Sequence, residues 1–156
     1  MKNTSKKSIV ISTWKHGFKA TDAAMDILKN NGTALDAVEM GVRETEADPE
    51  VRTVGYGGYT DNTGEVTLDA CIMDHLNNAG SVAYLKNIKH PVSVARKVME
   101  SSDHVMLAGQ GAYEFALKEG FQSENILTEQ SKQDWIEWNK TKDKKEVSHK
   151  NHDTIT

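Results

Sequence analysis

Three consecutive residues near the end of this sequence, His152-Asp153-Thr154, have the types and spacing from which hydrolytic chemistry can be built. A threonine hydroxyl is a weak nucleophile unless a base sits beside it. Cutting the peptide bond before it frees its own α-amino group to be that base. Such an amine titrates near ~7.7–8.0, so an appreciable fraction is neutral at pH 7. The bond in question is Asp153–Thr154. The sequence has 156 residues and ends at Thr156, so the groups that hold this threonine are expected on another segment.

Other chemistry-bearing residues give weaker signals. Trp14 closes the first apolar run, where an aromatic either covers the core edge or meets a ligand. Glu44, Glu46, Asp48 and Glu50 form an acidic cluster, which reads as a solvated helix end rather than a metal site. Cys71 is the single cysteine, so no intrachain disulfide is possible. It sits mid-strand with no histidine tied to it by pattern, a poor arrangement for a thiol nucleophile. Gly55-Tyr56-Gly57-Gly58 is a loop; no helix follows it, and the lysine and hydroxyl of a phosphate loop are missing. Gly109-Gln110-Gly111 precedes a helix and can hold an anion, but a tight turn is the expected use.

The elements that must position these residues follow from periodicity. Ser8–Thr13 is rich in β-branched residues and reads as a buried strand. Ala20, Ala24, Ile27 and Leu28 keep helical spacing, with Gly32 placed to end that helix. Thr33 and Asp36 form a capping box for a second helix with Leu35, Val38 and Val42 as its apolar face; the helix must stop before Pro49. Residues 66–73 alternate as a strand, Asn77-Asn78 turns, and Gly80–Tyr84 returns antiparallel. Apolar residues on both faces of that hairpin predict a sheet covered on both sides. Pro91 opens a helix buried through Val94, Ala95, Val98 and Met99. His104–Leu107 is a short strand or a connection, and the helix bearing Ala112, Phe115 and Ala116 closes at Gly120. A last helix spans about 129–141, with Trp135 and Trp138 as packing residues. Residues 140–151 carry alternating charge and almost nothing apolar, and read as an exposed linker that leaves the bond before Thr154 accessible.

Composition sets the outer limits. The apolar fraction, 37%, is below the usual ~45–50%, so the core is thin and suits half of a larger unit. The net charge of −4 predicts no nucleic-acid partner and no attraction to anionic membranes. No apolar run approaches the ~18 residues of a membrane span, and the basic start is followed by too short an apolar run for a signal peptide. The expectation is a cytoplasmic protein, or a periplasmic one if a leader has been removed.

Several stretches together resemble the glycosylasparaginase family of N-terminal-nucleophile hydrolases, in its α-subunit portion. They are Ser12-Thr13-Trp14, Ala34-Leu35-Asp36-Ala37-Val38-Glu39, Val54-Gly55-Tyr56-Gly57-Gly58, Val66–Asp74, Pro91-Val92-Ser93-Val94-Ala95-Arg96 and Asn151-His152-Asp153-Thr154. They run in order along essentially the whole chain. The resemblance implies an α+β fold, half of a four-layer α-β-β-α sandwich completed by a β-subunit-like chain. It implies 1–139 as the α-type part of the domain, 140–151 as linker, and 152–156 as the cleavage site with the start of the β-type part. Thr154 is then the nucleophile, released when its hydroxyl attacks the Asp153 carbonyl in an N→O acyl shift. His152 and Asp153 serve that cleavage, and Trp14 lines the substrate pocket. The implied reaction is hydrolysis of the β-amide of glycosylated asparagine, or of an asparagine-like small molecule, without a cofactor or metal, in a dimer of αβ units. Asp153 stands where related L-asparaginases and isoaspartyl peptidases usually carry glycine, which argues against that alternative. Thr156 replaces the family's usual glycine after Thr-Ile, which leaves a non-catalytic fragment as the other reading.

Overall fold

The structure, a computed structural model, describes residues 7–142. His152, Asp153, Thr154 and the linker from residue 143 onward lie outside the described residues. The elements are α1 (Gly17–Lys29), α2 (Ala34–Ala47), β1 (Leu68–Met73), β2 (Ala79–Leu85), α3 (Pro91–Ser101), β3 (Met106–Ala108), α4 (Gly109–Lys118) and α5 (Glu129–Lys142). The chain is thus a mixed α+β unit.

Local rules account for most helix boundaries. α1 ends in paired carbonyl satisfaction: the Gly32 N–H donates to the Ile27 carbonyl at 2.9 Å and the Asn31 N–H to that of Leu28 at 3.2 Å. The left-handed residue of this end is Asn31 (φ 63°), not Gly32 as the sequence suggested. Asparagine tolerates that conformation, and Gly32 is needed one position later, where a Cβ would stand 2.4 Å from the Ile27 side chain. The Thr33 hydroxyl accepts the Asp36 N–H at 3.1 Å, while the Asp36 carboxylate accepts the Thr33 N–H at 3.1 Å. The Thr33 hydroxyl and then the Arg96 guanidinium hold the Asp36 carboxyl down at about 2. α3 starts on Pro91, and α4 closes through Gly120 (φ 90°).

The strands form one sheet in the order β1-β2-β3. β1 and β2 are antiparallel, with Cys71 opposite Ser81 and Ile72 opposite Gly80; β3 runs parallel to β2. Ile72, Val82 and Leu85 meet Val94, Ala95 and Val98 of α3 and Ala112 and Ala116 of α4 in the main core. Glycine at position 80 sets how close α3 can come, because a Cβ there would lie 2.1 Å from the Ala95 carbonyl oxygen. Val66, Leu68 and Ile126 form a smaller cluster beside it.

Four expectations are corrected. Ser8–Thr13 is not a strand: it has no regular structure, and Ile9 and Ile11 are exposed at 78% and 87%. A strand needs a paired neighbour, and none lies beside this segment among the described residues. The hairpin is covered on one face only, leaving Asp69, Cys71 and Met73 exposed. α2 buries Ala37 and Gly41 rather than its valines. Small residues let α1 approach, since a Cβ on Gly41 would lie 2.7 Å from the Ala20 carbonyl, and this turns Val38 and Val42 outward. Within the acidic cluster, Glu46 is buried rather than solvated.

Gly80→Ala is expected to destabilise the chain by about 1–3 kcal/mol, because the helix backbone above it has no room to yield. Urea unfolding monitored by circular dichroism measures this, and an unchanged midpoint would contradict the close α3–β2 approach.

Candidate active-site cleft

The chemistry-bearing residues that lie far apart in sequence meet around a cleft of about 380 Å³. Its roof is the α1–α2 pair, through Gly17, Ala20, Val42, Thr45 and Glu46. The segment Ile11-Ser12-Thr13 also lines it, as does β1 with its lead-in, Thr67 to Cys71. Thr53, Val54 and Gly55 close one end. β1 is an edge strand whose ladder is formed with β2 alone, so its second row of backbone N–H and C=O groups is unpaired among the described residues. A strand edge with an apolar helical roof above it is a template for another strand.

The flanking segment is pinned where it enters α1. The Ser12 and Thr21 hydroxyls lie 2.7 Å apart, and both reach the Gly17 carbonyl, at 2.8 and 2.6 Å. Gly17 permits this approach; a Cβ there would meet the Ser12 Oγ at 2.5 Å. Trp14 turns between them with φ 65° and its carbonyl accepting the Gly17 N–H. A left-handed backbone is costly for an aromatic residue and marks a conformation held by its surroundings. The ring is 64% exposed beside the cleft, which Thr13 and His16 line.

Where β1 lines the cleft, the β1–β2 register slips between Leu68 and Ala70. The Asp69 carboxylate there accepts the Tyr84 N–H at 2.8 Å, replacing a ladder bond. Tyr84 adopts φ 54° to make that contact.

Glu46 joins three elements at the roof. Its carboxylate accepts the Val92 N–H at 3.0 Å and lies 3.3 Å from the His90 ring nitrogen. It therefore caps α3 from outside, where His90 at the N-cap position supplies no side-chain bond. The Glu46 carbonyl accepts the Tyr56 N–H at 2.7 Å, and Gly55 (φ 66°) lies against its backbone. Burial pushes the Glu46 carboxyl up; the bonds from His90 and Val92 oppose that shift without cancelling it.

Of the residues singled out in the sequence, Cys71 lines the cleft, and Trp14 falls in the chain between its lining residues Thr13 and His16. His152, Asp153 and Thr154 lie outside the described residues. Glu46, Asp69, Ser12 and Thr53 were missed as site residues. Ser12 could have been found from its place near Trp14, but no short-range pattern separates Glu46 from the exposed Glu44 and Glu50. Among the described residues, no three His, Cys, Asp or Glu side chains gather as a metal-binding group, and no helix is long and apolar enough to cross a membrane.

A family profile described as Asparaginase matches residues 2–156. The N(4)-(Beta-N-acetylglucosaminyl)-L-asparaginase of Elizabethkingia miricola is 56% identical over 153 residues, covering 97% of this chain and 45% of that protein. The rat protein of the same name is 44% identical over 136 residues, covering 84% of this chain and 39% of its own length. The mouse protein is 41% identical over 144 residues, covering 89% and 41%. The chain thus spans less than half the length of these curated relatives.

The linkage of Glu46 gives a test of the roof. Because its native pKa is raised above the ordinary 4.5, its contribution to stability is complete below that value and is lost as pH rises through the native one. Glu46→Gln keeps an acceptor for Val92 but cannot ionise. It is expected to gain on the wild type as pH rises above the ordinary carboxylate range and the wild-type carboxyl is driven to ionise. Urea midpoints over that rise measure the effect; identical pH slopes would refute a buried, shifted carboxylate.

Proposed function

The chain belongs to the asparaginase family, and on that premise we propose that it is the α-type part of a glycosylasparaginase-like amidohydrolase. The reaction proposed is hydrolysis of the β-amide of N4-glycosylated asparagine to aspartate and a glycosylamine. The observation that carries this reading is the cleft itself. It combines an unpaired β1 edge, a pinned flanking segment and an apolar roof, which together call for added strands. The β-type segment supplies them, giving the four-layer sandwich, and the complete αβ unit pairs as a dimer in the cytoplasm or periplasm.

Thr154 begins the β-type segment. In the maturation step, its Oγ bonds to the Asp153 carbonyl carbon while the C–N bond breaks. The hydroxyl proton passes to the departing nitrogen, leaving an ester. That step frees the Thr154 amine; water then cleaves the ester, leaving a carboxyl on Asp153 and restoring the Thr154 hydroxyl. His152 and Asp153 assist this step. In turnover, the amine takes the Thr154 hydroxyl proton as Oγ attacks the side-chain carbonyl of the substrate. Collapse expels the glycosylamine with that proton, and water releases aspartate from the acyl-enzyme. Oxyanion donors, each worth about 10²–10³ in rate, come from the β-type segment. Trp14, held at positive φ beside the cleft, packs on the substrate.

With the β-type segment supplied, Thr154→Ala is expected to abolish both cutting at Asp153–Thr154 and turnover of an aspartylglucosamine substrate. Detection by mass spectrometry of a fragment ending at Asp153 from that variant would refute the nucleophile assignment. The chain 1–156 by itself is expected to show no amide hydrolysis, and measurable turnover by it would overturn the two-segment site.

A further inference from the structure

α3 and α4 are seated by buried apolar side chains, whereas α5 is seated by a polar clasp. Its inward face carries Ser131, Asp134 and Trp135, at helical spacing. Arg52 reaches this face from the loop below the cleft. One guanidinium NH₂ donates to the Asp134 carboxylate at 2.6 Å and to the Ser131 hydroxyl at 3.3 Å. The Arg52 Nε donates to the Gly57 carbonyl at 2.9 Å, which also accepts the Ser131 hydroxyl at 2.8 Å. The guanidinium stacks over Tyr59 at 5.2 Å, and the Trp135 ring lies against Gly64. Gly57 has φ 76°, which L side chains rarely adopt, and a Cβ there would lie a tight 3.0 Å from the Thr128 side chain. Arg52 and Asp134 are both partly buried, so this pair is somewhat less screened than a fully exposed ion pair.

The two ends of the clasp have different neighbours. On the loop side, Thr53, Val54 and Gly55 line the cleft directly after Arg52. On the helix side, α5 runs to Lys142, twelve residues before Thr154. A chain of that length reaches at most about 40 Å, so the point at which α5 is anchored limits where the Asp153–Thr154 bond can be delivered. The local concentration of a tethered group falls when its anchor and target are mismatched.

We propose that Arg52 and Asp134 are positioning residues for the maturation cut, clasping α5 to the cleft loop so that the Asp153–Thr154 bond is presented to the cleft. This rests on the proposed function. Once the bond is cut, Thr154 is no longer tethered to α5, so the clasp acts on maturation and not on turnover.

The test uses the full-length precursor, this chain joined to its β-type segment. It follows appearance of the Thr154 N-terminus by intact mass, and turnover of aspartylglucosamine by the fully cut enzyme. Asp134→Ala leaves the Arg52–Gly57 bond and the Tyr59 stack in place. It is expected to slow cutting about fivefold or more, with Asp134→Asn intermediate. kcat/KM of the cut enzyme is expected to stay within about twofold of wild type. Cutting at the wild-type rate in both variants overturns the proposal. So does a parallel loss of cutting and turnover with a lowered Tm, which marks a structural role. If the wild-type precursor is not cut at Asp153–Thr154, the proposed function fails too; that result is read from the wild type alone.

Discussion

A β-strand carries two rows of backbone hydrogen-bonding groups, and β1 satisfies one of them on β2. Its other row faces a cleft of about 380 Å³. Much of the remaining structure is arranged about that unpaired edge. The α1–α2 pair roofs the space beside it, with Val42 turned toward the cleft instead of into the α1 interface. Ser8–Thr13, rich in β-branched residues, has no strand partner among the described residues. The chain has 37% apolar residues and leaves Ile9, Ile11 and Met73 exposed.

Polar contacts hold the frame where apolar burial is thin. Arg96 binds Asp36 at 2.7 Å and Glu39 at 2.8 Å, tying α3 to α2. Ser93 donates to Glu39 and accepts from Arg43 on the same seam. Glu46 extends the seam by capping α3 while its backbone supports the Gly55–Tyr56 loop. Arg96 and Glu39 each have more than one partner on this partly buried seam, so the network fixes the geometry of α2 against α3. The same logic applies at α5, where Arg52 joins a helix to the loop that ends the cleft.

Strain is concentrated beside the cleft. Trp14 and Tyr84 both hold left-handed backbones that their side chains disfavour. Each is fixed by a specific bond, the Gly17 N–H to the Trp14 carbonyl and the Tyr84 N–H to Asp69. Trp14 follows Thr13 and Tyr84 bonds to Asp69, and both Thr13 and Asp69 line the cleft.

The sequence by itself determined what depends on near neighbours in the chain. The Thr33–Asp36 capping box, Pro91 opening α3, Gly120 closing α4 and the β1–β2 hairpin were all legible, because their contacts span a few residues or one turn. His152-Asp153-Thr154 was read as chemistry from the same short range, and it lies outside the described residues. Tertiary structure alone decided which groups lost water and which edges stayed open. Glu46 differs from Glu44 and Glu50 only in what α3 and Gly55 bring against it. Ser8–Thr13 reads as a strand locally, yet strand formation needs hydrogen bonds across space, and no local pattern states whether the partner is in place. The valines of α2 read as its buried face, but α1 seats itself on Ala37 and Gly41, because close helix approach is decided by where two backbones can touch.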